Sequence, residues 1–211
     1  MPKHSSIFLF SKTSHPEANH IPILDVTYFD ASVHFPSYDY IIVSSKETIL
    51  ALDKIGAWKI LPILAISEAT AAFAKSRGAE LLDIAQGYGE SVVELIKSKY
   101  IDLKALYPHA KTVAYDIESE LQKLGVELDA FVIYETSCSK AKKVELPSNA
   151  ICIFTSPSSV KCFLERYELL ATYKIVCIGE TTASTLPKDL SYVLSEKTSV
   201  ESTILKAKSL L

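Results

Sequence analysis

The sequence predicts an α/β fold of two similar lobes with parallel sheets, one lobe inserted into the other and the two joined by a two-strand hinge. Three observations predict it. Short apolar runs alternate with stretches of helical periodicity, hydroxyl residues sit where several of these runs give way to helices, and the middle of the chain repeats at its end.

The apolar runs are IFLF (7–10), YIIV (40–43), ILPILAI (60–66), AFVIY (130–134), AICIF (150–154) and KIVCI (174–178). Runs of this length, apolar on both faces, suit strands of a parallel sheet covered on both sides. Between and after them, Glu47 to Ile55, Thr70 to Arg77, Ser91 to Lys99, Ile117 to Leu124, Ser158 to Leu164 and Ser199 to Leu210 space apolar residues three to four apart, as helices do. Ser44 with Glu47, and Thr198 with Glu201, have capping-box spacing. Ser156-Pro157 reads as an N-cap followed by Pro at the first helical position. Gly78 and Gly125 fall just past helical patterns, where a left-handed C-terminal cap favours glycine. Residues 11–38 carry three prolines and a half-alternating IPILDVTYF, and are expected to form loop plus an extended linker strand.

The repeat carries the most information. YDYIIVSSKETILALDK (38–54) aligns with NAICIFTSPSSVKCFLE (149–165), ILAISEATAAF (63–73) with IVCIGETTAST (175–185), and GESVVELIK (89–97) with VESTILKAK (200–208). Three segments in the same order, at near-equal spacing, indicate two similar α/β units, and the second alignment sets Thr70 opposite Thr182. Only one strand precedes the linker. The economical arrangement therefore gives residues 1–24 and 135–211 to one lobe and residues 25–134 to the other, with extended connections near 21–29 and 129–136 side by side. A cleft spanned by a flexible hinge is the expected result.

Composition narrows the function. Among 211 residues, 48% are hydrophobic and 22% charged, enough apolar side chain for proper cores and too little charge for disorder. No apolar run reaches membrane-spanning length and the start has no signal-peptide pattern, so a cytoplasmic protein is expected, with a monomer as the default. The net charge of −3 and only two arginines, Arg77 and Arg166, argue against a nucleic-acid surface. Cys138, Cys152, Cys162 and Cys177 form no CxxC pair and are expected to be reduced structural thiols. His4, His15, His20, His34 and His109 show no ligand spacing and read as surface residues, so no metal is implied. No glycine-rich nucleotide loop is present, which disfavours a flavodoxin-like cofactor enzyme.

In open parallel sheets, ligands bind at the carboxyl ends of the strands, where helix N-termini present free N–H groups and partial positive charge. Ser44-Ser45, Ser67 to Thr70, Thr155-Ser156 and Gly179 to Thr182 are turns of this kind. Helix capping alone explains each hydroxyl; their fourfold recurrence favours a role in holding carboxylates without arginine.

The units IIVSSKETILAL and IFTSPSSVKCFL, the turn IGETTAS with its variant ISEATAA, and LGVELDAFVIYET together resemble the uroporphyrinogen-III synthase family over roughly residues 38 to 205. The first strand here ends in Ser11-Lys12 where that family commonly has Thr-Arg, and Ser67 stands where its first turn has glycine. The resemblance implies two α/β lobes joined by a two-strand ladder. It implies hydroxymethylbilane as substrate, uroporphyrinogen III plus water as products, and no cofactor. The only partner it adds is a transient contact with the preceding pathway enzyme. Hydroxymethylbilane loses its hydroxyl to give an azafulvene, and its last ring must attack through a substituted carbon, form a spiro intermediate, fragment and reclose inverted. Positioning is the enzyme's main task. Tyr134, matching the tyrosine of the family's YE motif, is the implied catalytic residue, donating to the departing hydroxyl. Thr182 and Thr181 lead the candidate carboxylate binders, followed by Gly179, Thr70, Ser156, Thr155, Ser45 and Ser44. Tyr28, Tyr38, Tyr40 and Tyr88 are expected to be structural. A rival reading, a non-enzymatic two-lobed binding or regulatory protein for a small anion, would use the same turns.

Overall fold

The computed structural model describes residues 6–87 and 89–211; His4 and Tyr88 lie outside them. Along the chain run strands β1 (Ile7–Ser11), β2 (Asn19–Pro22), β3 (Leu24–Tyr28) and β4 (Tyr40–Val43), then helix α1 (Lys46–Ile55). Next come β5 (Ile63–Ala65), α2 (Glu68–Ser76), β6 (Leu81–Ile84), α3 (Gly89–Lys99), β7 (Ala105–Ala110), α4 (Ile117–Lys123) and β8 (Leu128–Cys138). The chain closes with β9 (Ile151–Phe154), α5 (Pro157–Arg166), β10 (Lys174–Cys177), α6 (Glu180–Ala183), β11 (Val193–Leu194) and α7 (Val200–Lys208). It divides into two compact units, one running up to Asp25 and resuming at Thr136 to Leu211, the other Val26–Glu135.

The first unit is built on a parallel sheet of order β11-β10-β9-β1-β2. Side chains alternate across it. Phe8, Phe10, Cys152, Phe154, Ile175 and Cys177 face Val160 and Phe163 of α5 and Ala183 of α6, while Ile7, Leu9, Ile151, Ile153 and Val176 face Ile204 and Ala207 of α7. Both faces are therefore buried, which is why these strands are apolar without alternation. Phe10 is a packing centre, edge-on to Phe163 at 4.7 Å and stacked on Phe154 at 5.4 Å.

The second unit holds a sheet of order β3-β8-β7-β4-β5-β6, parallel from β8 to β6. Phe29 N–H donates to Ile133 O and Ser139 N–H to Ile23 O, so residue numbers fall on β8 as they rise on β3 and this edge pair is antiparallel. Ile41, Val43, Ile63 and Ala65 pack against Ile49 and Leu52 of α1 and Ala71 and Ala74 of α2. On the other face Tyr40, Ile42 and Leu64 meet Val92 and Ile96 of α3 and Leu121 of α4. The Tyr40 hydroxyl is the one buried side-chain polar atom without a partner among the described residues.

Several expectations need correction. Cys138 and Cys162 are joined by a disulfide, so only Cys152 and Cys177 are free; spacing alone could not show that the end of β8 lies against α5. The helix caps at Ser44 and Thr198 fall one residue later, on Ser45 and Ser199, each accepting from an N–H three positions on. Of the described histidines, His34 is exposed, and His15, His20 and His109 are partly exposed. Gly78 and Gly125 do adopt positive φ, 84° and 78°, as the caps require. No helix among the described residues is long and apolar enough to cross a membrane.

Candidate active site

Parallel strands end along one edge, and in the second unit β4, β5, β7 and β8 bring their carboxyl ends together. Val43 is level with Ala65, and Ala110 with Tyr134. Ser45 follows β4 with extended backbone (φ −158°, ψ 162°) and caps α1, its Oγ accepting from Thr48 N–H at 3.2 Å. The same Oγ lies 3.2 Å from Thr48 Oγ1 and 2.9 Å from the hydroxyl of Tyr134, a residue only 7% exposed. Burial pushes the phenol of Tyr107, on the neighbouring β7, up to about 12, and the Ser44 hydroxyl offsets part of that rise.

Beyond Tyr107, His109 stacks on its ring at 4.9 Å. His109 Nδ1 lies 2.8 Å from Ala110 O, and because a carbonyl can only accept, that nitrogen carries the proton. His109 Nε2 is 3.9 Å from Glu118. Lys111 N–H donates to Tyr134 O at 2.9 Å, and its ammonium pairs with Glu135 at 3.0 Å.

At α2, one strand over, the Ser–Thr pair recurs. Ser67 caps the helix, accepting from Thr70 N–H at 3.3 Å, and lies 3.1 Å from Thr70 Oγ1. Thr70 is 5% exposed, so its hydroxyl is turned inward to its own cap.

The first unit offers a matching edge. Phe10, Phe154, Cys177 and Leu194 share one level, so Ser11, Thr155, Ile178 and Ser195 follow at the next. Ser156 caps α5 in a reciprocal box with Ser159. Gly179 opens α6 with extended backbone, and Thr182 and Ala183 N–H both donate to its carbonyl at 3.1 Å. Gly179 brings no side-chain oxygen to Thr182, unlike Ser67 to Thr70, although both threonines occupy the third helical position. A Cβ at Gly179 would lie 3.3 Å from Thr198 Cγ2, a tight approach that favours glycine there. Thr182 is 3% exposed, while Thr181 is exposed.

All the candidates lie at strand-to-helix turns or, for Tyr134, at the same sheet edge. Within the second unit Ser44, Ser45, Thr70 and Tyr134 share an edge; within the first, Thr155, Ser156, Gly179, Thr181 and Thr182 do. Tyr107 and Lys111 were not singled out in the sequence, His109 was read there only as a surface residue, and Ser67 was named in its turn but not among the candidate binders. ALYPHA carries a proline that obscures its strand, although its alternating Leu106 and Pro108 against Tyr107 and His109 could have placed the two rings on one face.

A family model for uroporphyrinogen-III synthase HemD matches residues 16–204. The chain belongs to the uroporphyrinogen-III synthase family. Solved structures agree at the level of fold. The uroporphyrinogen-III synthetase of Helicobacter pylori 26695 superposes with TM-score 0.83 at 21% identity, over 98% of this chain and 99% of that one. A mutant uroporphyrinogen III synthase from the extremely thermophilic bacterium Thermus thermophilus gives TM-score 0.58 at 14% identity, over 90% and 87%. The wild-type Thermus protein gives 0.51 at 13% identity, over 97% of each chain. No curated protein sequence matches significantly. Family membership makes the chain an enzyme of tetrapyrrole biosynthesis, acting on a small molecule.

Proposed function

We propose that this chain is a hydro-lyase that cyclises hydroxymethylbilane to uroporphyrinogen III and water, with inversion of the last ring. The residue assignments rest on one observation: the Tyr134 hydroxyl stands at the carboxyl edge of its sheet, 2.9 Å from the cap of α1. A phenol is protonated at neutral pH and can donate to a departing hydroxyl. Once the hydroxyl leaves as water, the pyrrole nitrogen lone pair forms the azafulvene, and the chemistry that follows is inherent in the substrate. The protein then acts by holding the chain so that the substituted carbon attacks first.

The substrate's carboxylates need donors. Thr182, Thr181 and Gly179 supply a hydroxyl-bearing turn whose buried threonine has no capping oxygen beside it, and Thr155 and Ser156 supply a second turn in the same unit. Thr70 and Ser44 are the corresponding candidates on the other sheet. Each such bond to an ionised group contributes about 1.5–3 kcal/mol. The same reading takes the protein as a cytoplasmic monomer that meets the enzyme supplying hydroxymethylbilane only transiently.

The test is turnover. Purified protein given hydroxymethylbilane, with no metal or cofactor added, is expected to yield the III isomer faster than the I isomer forms spontaneously, read by chromatography of the oxidised porphyrins. Formation of the I isomer alone, at the uncatalysed rate, would reject the assignment and leave an anion-binding protein.

A further inference from the structure

The geometry points to Ser45 as a positioning residue that polarises Tyr134, not as a binder of substrate carboxylate. This inference rests on the reading of Tyr134 as proton donor and deepens it.

Hydrogen-bond capacity at Ser45 Oγ carries the argument. A serine hydroxyl has two acceptor positions and one hydrogen. The N–H of Thr48 donates into one acceptor position at 3.2 Å. Thr48 is fully buried and its hydroxyl lies 3.2 Å from the same oxygen; with Thr48 as the donor of that pair, it fills the second. The single hydrogen of Ser45 is then left for its shortest contact, the Tyr134 oxygen at 2.9 Å. A relay results, from the positive N-terminal turn of α1 through Ser45 to the Tyr134 oxygen, with the phenolic hydrogen directed away from Ser45. The Ser67–Thr70 pair at α2 has the same internal bonds, at 3.3 and 3.1 Å. Among the described residues no tyrosine is hydrogen-bonded to Ser67, so the contact to an aromatic hydroxyl is what distinguishes Ser45.

The relay has a defined place in the reaction. When Tyr134 gives its proton to the hydroxyl of hydroxymethylbilane, the carbon–oxygen bond breaks, water leaves and the pyrrole nitrogen supplies electrons for the new double bond. The tyrosinate left behind is stabilised by the Ser45 O–H, itself polarised by the Thr48 N–H at the end of the helix dipole. The proton lost from carbon on ring closure restores the phenol, so protons balance over the cycle.

Four proteins test this: wild type, Ser45→Gly, Tyr134→Phe and the double variant, with Ser45→Thr as a rescue. Glycine is nearly as good as serine at a helix N-cap, so Ser45→Gly removes the hydroxyl with little loss of the helix start; melting temperatures check that. The expected result is a fall in kcat of about tenfold for Ser45→Gly with KM unchanged, recovered by Ser45→Thr, and no further fall when Tyr134 is already phenylalanine. A raised KM with kcat spared, or a loss that multiplies with that of Tyr134→Phe, would overturn the relay while leaving Tyr134 as donor. A wild-type rate for Tyr134→Phe would instead remove the donor reading itself, and the relay with it.

Discussion

Thr70 and Thr182 occupy equivalent positions in the two halves of the repeat, yet the residue opening each helix gives them different surroundings. The Ser67 hydroxyl lies 3.1 Å from that of Thr70, whereas Gly179 has no side-chain oxygen to offer Thr182. Thr182→Ala is therefore expected to weaken substrate binding roughly ten- to a hundredfold, the effect of losing a bond to a charged group, with little change in melting temperature. Thr70→Ala is expected to lower stability by about 0.5–1.5 kcal/mol, the net contribution of one neutral hydrogen bond, with the smaller effect on KM. Steady-state kinetics and thermal melts on both variants separate these outcomes, and an unchanged KM for Thr182→Ala would move it out of the site. At this scale the sequence was legible in residue type but not in register. Ser44 and Ser45 can both cap α1, because Glu47 or Thr48 serves equally as the third helical residue. Only the fold decides that Ser45, not Ser44, takes the cap.

Elements were legible where burial on both faces leaves a continuous apolar run, as in β1, β4, β9 and β10. They were not legible where a strand is short or interrupted. LLDI of β6 sits at the sheet edge with every side chain half-buried, so no pattern marks it. In β7, Pro108 lies past the end of the β4 ladder, which reaches only Tyr40 with Ala105 and Ile41 with Leu106. Its missing N–H therefore costs no bond on that side. The Cys138–Cys162 bridge ties the end of β8 to α5 across a sequence separation of 24. Closing a loop of that size is expected to contribute about 2–4 kcal/mol. Reductant, or Cys138→Ser, should lower the melting temperature. Alkylation in denaturant without reductant should label two cysteines rather than four. Labelling of all four would show the bridge open. In the folded protein Cys152 and Cys177, whose thiols burial pushes up to about 12, are expected to resist alkylation at neutral pH.

For the whole molecule, the core clusters matter most. Every buried residue of the two clusters around β4 and β5 belongs to Val26–Glu135, and every one of the two around β1 and β9 belongs to the other unit. A continuous segment with its own core is expected to fold alone. Residues 26–135 expressed by themselves should show a cooperative thermal transition and dispersed amide resonances. A molten or unfolded fragment would mean that the core needs the flanking chain. The alternation of strands and helices that predicts an α/β class reports this architecture well, because both sheets are parallel apart from one edge pair.

The position of β1 has a consequence for how the protein is made. Ile7 pairs with Ile151 and Phe10 with Phe154, so β1 lies between β9 and β2 inside its sheet although the whole of Val26–Glu135 separates it from β9 along the chain. The whole of Val26–Glu135 is translated after β1 and β2 and before β9 exists. At synthesis rates of about 5–20 residues per second, that wait is several seconds or more, long compared with the time a small α/β domain needs to fold. During it the side of IFLF that β9 will cover is an open apolar edge next to an already folded domain, the kind of segment that chaperones shield and that nucleates aggregation when they are saturated.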